Sequence, residues 1–132
     1  MKKIVAHQRD GKLVKGFAAF EGCQEDIFVI CRNGKKVSLE LSGLKAVFFV
    51  RDFNGNAERQ EFKFSKSQSV GNYVWVAVEM FDGEILEGRV ENNVDFVLDD
   101  GFFLYPTDEF SNNEKVLVAK AAVKGFSVLA AS

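Results

Sequence analysis

Apolar residues alternate with polar ones in short runs broken by Gly, Asn and Asp, and no stretch sustains the period of an amphipathic helix. The best helical candidates are single turns near Ser42-Gly43-Leu44 and Lys120-Ala121-Ala122. Two apolar runs, Ile4 to Gln8 and Leu13 to Ala18, flank Asp10-Gly11, which predicts a β-hairpin. Side-chain facing decides its loop. A two-residue loop places Lys15 and Phe17 beside Ile4 and Ala6 and buries charge. A three-residue loop with Gly in the left-handed conformation instead groups Ile4, Ala6 and Gln8 with Val14, Gly16 and Ala18. Gly16 then marks a sharp bend or the close approach of another backbone. Asn33-Gly34 predicts a second hairpin between Ile27–Cys31 and Val37–Leu41, with Phe28, Ile30, Val37 and Leu39 on one face. An apolar strand, Ala46 to Val50, follows.

This pattern returns. Residues 4–18 match residues 76–90 at a constant offset of 72, so that Asp10-Gly11 and Gly16 reappear as Asp82-Gly83 and Gly88. Leu44 to Val50 matches Val123 to Leu129 at an offset of 79, leaving seven extra residues in the second copy, around Tyr105 to Lys115. Phe96 to Leu104 is the counterpart of the second hairpin, and Phe126 to Leu129 of the closing strand. Short, bent strands with Gly at the bends predict an all-β fold of two tandem small barrels related by internal pseudo-symmetry, the alternative being one larger merged barrel. The expected organisation is a first barrel over 1–50, a second over 73–132, and a linker over 51–72 packed on the body, in which Phe62-Lys63-Phe64 alternates like a strand.

Length and charge refine this picture. A chain of 132 residues and 14.7 kDa is long enough for a real core. It has no apolar run long enough for a membrane helix, and polar residues follow Met1 too soon for a signal peptide, so a cytoplasmic protein without membrane contact is expected. Cys23 and Cys31 are spaced neither for zinc nor for a disulfide framework and read as reduced thiols. Residues 1–50 carry nine Lys or Arg against five Asp or Glu, while residues 73–132 carry four against eleven. Such asymmetry draws the halves together, within one chain or head to tail between chains.

Differences between the copies point to surfaces. Arg9 corresponds to Phe81, Arg89 to Phe17 and Ser127 to Phe48, and the polar member of each pair marks the site as facing away from its own unit's core. Phe17, Phe48 and Phe81 are therefore candidates for an inter-repeat or intermolecular interface. A candidate basic surface comprises Lys2, Lys3, Arg9, Lys12, Lys15, Arg32, Lys35 and Lys36, beside which Phe17 can stack a base.

Catalytic chemistry finds little footing. His7 is the single histidine and has no nucleophile motif to serve. The acidic residues Asp95, Asp99, Asp100, Asp108, Glu109 and Glu114 do not have EF-hand spacing and read as solvated turn acids. No glycine pattern cradles phosphate. No enzymatic activity, cofactor or metal is expected.

Two resemblances follow from these motifs. Val76 to Val90, with Asp82-Gly83 and Gly88, resembles the opening of an Sm-like domain and of other SH3-like barrels, which implies SH3/Sm-like units. Asn92, Asn93 and Asp95 do not have the spacing of the Sm RNA-contacting residues. Asp10 to Gly16, Leu44 to Gly55 and Ser111 to Val116 resemble a bacterial family classed as a domain of unknown function, marked by tandem DG-x4-G repeats and the run Lys45-Ala46-Val47-Phe48-Phe49-Val50-Arg51-Asp52-Phe53. Its members occur alone or beside signalling modules, some PilZ-like, which implies a bacterial cytoplasmic signalling or scaffolding role. Arg51 and Arg59 are too far apart for the PilZ cyclic-dinucleotide motif. The expected function is a non-catalytic interaction or adaptor module acting through protein contact or self-association. The alternatives are a nucleic-acid-binding module using the basic first half and a nucleotide-sensing module.

Overall fold

The computed structural model describes residues 1–19, 25–53, 73–92, 99–106 and 111–131. Cys23, Arg59, Phe62-Lys63-Phe64, Asp95, Phe96 to Leu98, Asp108 and Glu109 lie outside the described residues, as does most of the expected linker.

The first half forms five strands: β1 (Lys2–Gln8), β2 (Leu13–Ala18), β3 (Asp26–Cys31), β4 (Lys36–Glu40) and β5 (Leu44–Val50). The second half forms β6 (Tyr73–Met80), β7 (Ile85–Glu91), β8 (Gly101–Leu104), β9 (Asn113–Ala119) and β10 (Val123–Ala131). One-turn 3-10 helices, Leu41–Gly43 and Lys120–Ala122, precede β5 and β10 at the two places where single helical turns are expected.

The β1–β2 loop follows the side-chain argument. Ile4 pairs with Gly16 and Ala6 with Val14. The Gln8 amide donates to the Lys12 carbonyl at 2.9 Å across three loop residues, with Gly11 at φ 92°. The β6–β7 loop is the same: Val76 pairs with Gly88, Val78 with Leu86, and Met80 donates to Glu84 at 2.8 Å with Gly83 at φ 90°. Both strand glycines are close-approach sites. A Cβ on Gly16 would run into the Ile30 carbonyl and lie 2.7 Å from Val29 Cγ1, and one on Gly88 would lie 2.5 Å from the Tyr105 carbonyl oxygen.

The β3–β4 hairpin departs from expectation. Its loop also has three residues, closed by a 2.8 Å bond from the Cys31 amide to the Lys35 carbonyl. The register therefore moves by one position: Ile27 pairs with Leu39, Val29 with Val37, and Phe28 with Ser38. A one-residue shift exchanges faces. Val37 and Leu39 thus join Ile27 and Val29 on the inner face, and Phe28, grouped with Val37 and Leu39 by the sequence reading, is on the other face and 67% exposed.

The all-β expectation holds, but neither two closed barrels nor one merged barrel forms. Seven strands make one sheet in the order β4-β3-β2-β1-β5-β9-β8, and three make a second in the order β10-β6-β7. The seam between halves is the reason. β5, pairing with β1 on one side, uses its other edge to pair with β9, setting Ala46 opposite Val118, Val47 opposite Leu117 and Phe48 opposite Val116. One antiparallel bridge, Arg89 with Tyr105, connects β7 to the segment following β8.

Two apolar clusters flank this seam. Alternate residues of β5 and β9 serve different clusters, as the two-residue side-chain period of a strand requires. Val47, Phe49 and Leu117 pack with Ile4, Ala6, Ile27 and Leu39. Phe48, Val50, Val116 and Val118 pack with Val76, Val78, Met80 and Leu86. All seven residues of β5 are buried.

Candidate functional site

The surfaces available for contact follow from which strand edges the seam consumes. β5 lies between two strands, whereas β4 and β10 end their sheets, and among the described residues no strand pairs with their outer edges. On β10, Val128 is 61% exposed, Leu129 43% and Phe126 39%. Large apolar side chains in a row along a sheet edge are what soluble proteins ordinarily avoid.

Polar groups lock the seam. Lys45 is the β5 residue skipped where the β1–β5 register shifts between His7 and Gln8. This bulge turns its side chain out of the ladder toward the β6–β7 loop. There the ammonium meets Asp82 at 2.7 Å and Glu84 at 2.6 Å. Burial pushes the Lys45 ammonium down, but the hydrogen bonds and charges of Asp82 and Glu84 outweigh it, so its pKa rises above the usual lysine value. The hydrogen bond from Lys45, with one from the Glu84 amide, holds the Asp82 carboxyl below the usual carboxylate value. His7 lies against Phe48 with ring centroids 4.5 Å apart and the rings tilted by 51°. Burial, followed by the Lys45 charge, pushes its imidazole below its ordinary pKa.

The sequence-derived interface candidates occupy three different settings. Phe48 is buried at the seam, in the cluster it shares with Val76, Val78 and Met80 of the second half. Phe17 is half-buried on β2, edge-to-face with Phe53 at 5.5 Å. Phe81 lies in the β6–β7 loop, exposed, with its amide bonded to the Ala122 carbonyl at 2.8 Å.

The basic candidates divide. Lys3, Lys15 and Arg32 converge on Phe53: the Arg32 guanidinium lies 5.1 Å and the Lys3 ammonium 5.9 Å from its ring centroid, and Lys15 reaches its carbonyl at 3.4 Å. Arg9 donates to the Ser42 carbonyl, and Lys2 lies 3.6 Å from Glu114. Lys12, Lys35 and Lys36 are exposed at the two hairpin loops.

Sequence reasoning passed over the Lys45–Asp82–Glu84 cluster, the exposed β10 row and exposed Phe28. The one sequence signal for the cluster was the acidic replacement of Lys12 by Glu84 at matching loop positions. Among the described residues, no three His, Cys, Asp or Glu side chains gather as a metal would require, and no helix is long and apolar enough to cross a membrane.

A family model described as a family of unknown function, DUF6982, matches residues 1–130. No curated protein and no solved structure matches the chain.

Proposed function

Because the chain belongs to the DUF6982 family, whose description names no activity, we propose from the geometry that it is a non-catalytic interaction or adaptor module. It acts through protein contact or self-association, in bacterial cytoplasmic signalling, with residues 1–50 and 73–132 as the two repeated units and 51–72 as the connecting linker. The carrying observation is the exposed apolar row of β10: Val128 and Leu129 face solvent, whereas their β5 counterparts at the offset of 79, Phe49 and Val50, are buried on a strand that β9 pairs along its other edge. A surface built like a covered strand supports a role in being covered. Light scattering on the wild type and a Val128→Glu/Leu129→Glu variant tests this. The wild type is expected to exceed 14.7 kDa at rising concentration or with a bound partner, and the variant to remain folded at 14.7 kDa. A wild type that stays monomeric and retains no protein from source-cell extract contradicts the reading.

One observation favours a second reading, nucleic-acid binding. Lys3, Lys15 and Arg32 around Phe53, with Phe17 at its edge, combine the cations and aromatic faces that single-stranded nucleic acids use. Fluorescence anisotropy with an unstructured RNA at two salt concentrations decides it, since phosphate contacts weaken steeply as salt rises. No binding at low salt removes it.

A further inference from the structure

The pairings of the first half recur in the second with matching register. In β1–β5, Ile4 faces Phe49, Ala6 faces Val47, His7 faces Ala46 and Gln8 faces Leu44, skipping Lys45. In β6–β10, Val76 faces Val128, Val78 faces Phe126, Glu79 faces Gly125 and Met80 faces Val123, skipping Lys124. Every partner is displaced by the same offsets, the bulge included. β4 and β9 correspond as well: Val37 pairs with Val29 and Ser38 with Phe28, as Val116 pairs with Leu104 and Leu117 with Phe103. β10 is thus built like β5, and β4 like β9. Inside the chain, β5 and β9 form the seam. Among the described residues, that leaves β10 and β4, the same two components, at the sheet ends that the Arg89–Tyr105 bridge does not join.

We propose that β10 of one copy adds to β4 of a second copy, antiparallel and in the register of the internal β5–β9 seam, joining chains head to tail. This rests on the interaction-module reading and names its partner. Transferring the seam's pairs by the offset of 79 places Gly125 opposite Leu39, Phe126 opposite Ser38, Ser127 opposite Val37 and Val128 opposite Lys36. Three observations fit this arrangement.

The first is apolar cover. Phe126 comes beside Ser38, whose own neighbour is the exposed Phe28, so the joint extends a row that now ends at solvent. The second is Lys36. A lysine on an edge ordinarily opposes strand addition, yet Lys115 holds the same position inside the seam, its ammonium 4.9 Å from the Phe49 centroid and 4.5 Å from that of Phe103. A lysine there is compatible with pairing, its stem lying on apolar surface.

The third is charge. Lys124 occupies the bulge position of Lys45 and is exposed, and the loop that would meet it contains Asp10, the counterpart of Asp82. Asp10 Oδ1 accepts from the Lys12 amide at 2.9 Å as Asp82 Oδ1 accepts from Glu84 at 3.1 Å, so the two loops present their carboxylates alike. The joint also sets the basic first half of one copy against the acidic second half of the next. With Ser38 in place of Leu117 and Lys12 in place of Glu84, it is a weaker copy of the seam and hence reversible. Such head-to-tail contacts close into rings or extend as filaments.

The test uses full-length chains with Cys23 and Cys31 replaced by Ser, one carrying Val37→Cys and the other Ser127→Cys. Directly opposed strand residues lie about 4.5–5.5 Å apart at Cα, within disulfide reach. Mixing and oxidation are expected to give a disulfide-linked dimer, whereas Lys36→Cys with Ser127→Cys, one position off and on the other face, gives none. Separately, Val128→Lys sets like charges opposite each other and is expected to weaken self-association roughly tenfold by sedimentation, about 1.4 kcal/mol. Adding Lys36→Glu to the same chain restores it. Cross-linking of Ser127→Cys chains to one another overturns the proposal in favour of a β10–β10 pairing. Association without the register-specific cross-link also overturns it, but leaves the interaction reading standing. Wild type that is monomeric at every concentration overturns the proposal and removes self-association from that reading.

Discussion

Gly16 and Gly88 are required by distance and not by backbone angle. Each lies where a third strand crosses close to the second strand of a half, and a methyl group has nowhere to go but into a carbonyl oxygen. Gly16→Ala or Gly88→Ala is expected to cost about 1–3 kcal/mol, the range of overpacking, lowering Tm by roughly 5–10 °C. Gly43→Ala is the control, since a Cβ there meets nothing within 4 Å and the change is expected to be neutral or slightly stabilising. His7 provides a second residue-scale test. Its folded pKa is depressed below 6.5, so the unfolded chain binds more protons between the folded value and 6.5. Stability is therefore complete above pH 6.5 and is lost as pH falls through the folded value. Urea melts between pH 7.5 and 5 are expected to show this decline and His7→Gln to reduce it. As the single histidine, its NMR titration can be followed without assignment.

At the scale of elements, the seam decides which strands are core and which are surface. Phe48 belongs to the cluster of the second half while sitting on a strand of the first, so Phe48→Ala is expected to cost about 3–5 kcal/mol, the range for a buried phenylalanine. The Lys45 cluster contributes less, because both carboxylates are substantially solvated. Lys45→Met is expected to cost about 1 kcal/mol at neutral pH in urea melts at low salt, where the ion pairs are not screened. Its pH window follows from the two shifts. The Lys45 contribution is complete below 10.5 and lost as pH rises through its raised folded value. The Asp82 contribution is complete above 3.8 and lost as pH falls through its lowered one. The hairpins were largely legible from sequence because their determinants are local: Gly11 and Gly83 must adopt positive φ, and polar residues show which loop length keeps charge out of the core. The same local reasoning misjudged Asn33-Gly34, where the loop takes three residues and Phe28 turns outward. Nothing near Phe28 in sequence reports the loop closure from Cys31 to Lys35.

For the whole molecule, the seam joins β5 to residues more than 60 positions away, and no local pattern encodes such a pairing. Separate barrels were expected because each half, read alone, supplies five strands. The joined sheets arise because an edge of one half finds an edge of the other. The trace this leaves in the sequence is the contrast between Phe48 and Ser127: β5 needs an apolar side chain toward β9, and β10 has a hydroxyl at the matching position, exposed. The two outer strands, β4 and β10, then set how the protein meets others. Hydrogen–deuterium exchange across a dilution series measures this most directly. β5 amides, bonded on both sides, are expected to stay protected at every concentration. The outward amides of β4 and β10 are expected to exchange fast when dilute and to gain protection together as concentration rises. Protection of β10 that is undiminished at the highest dilution, or protection of β10 without β4, would contradict the account.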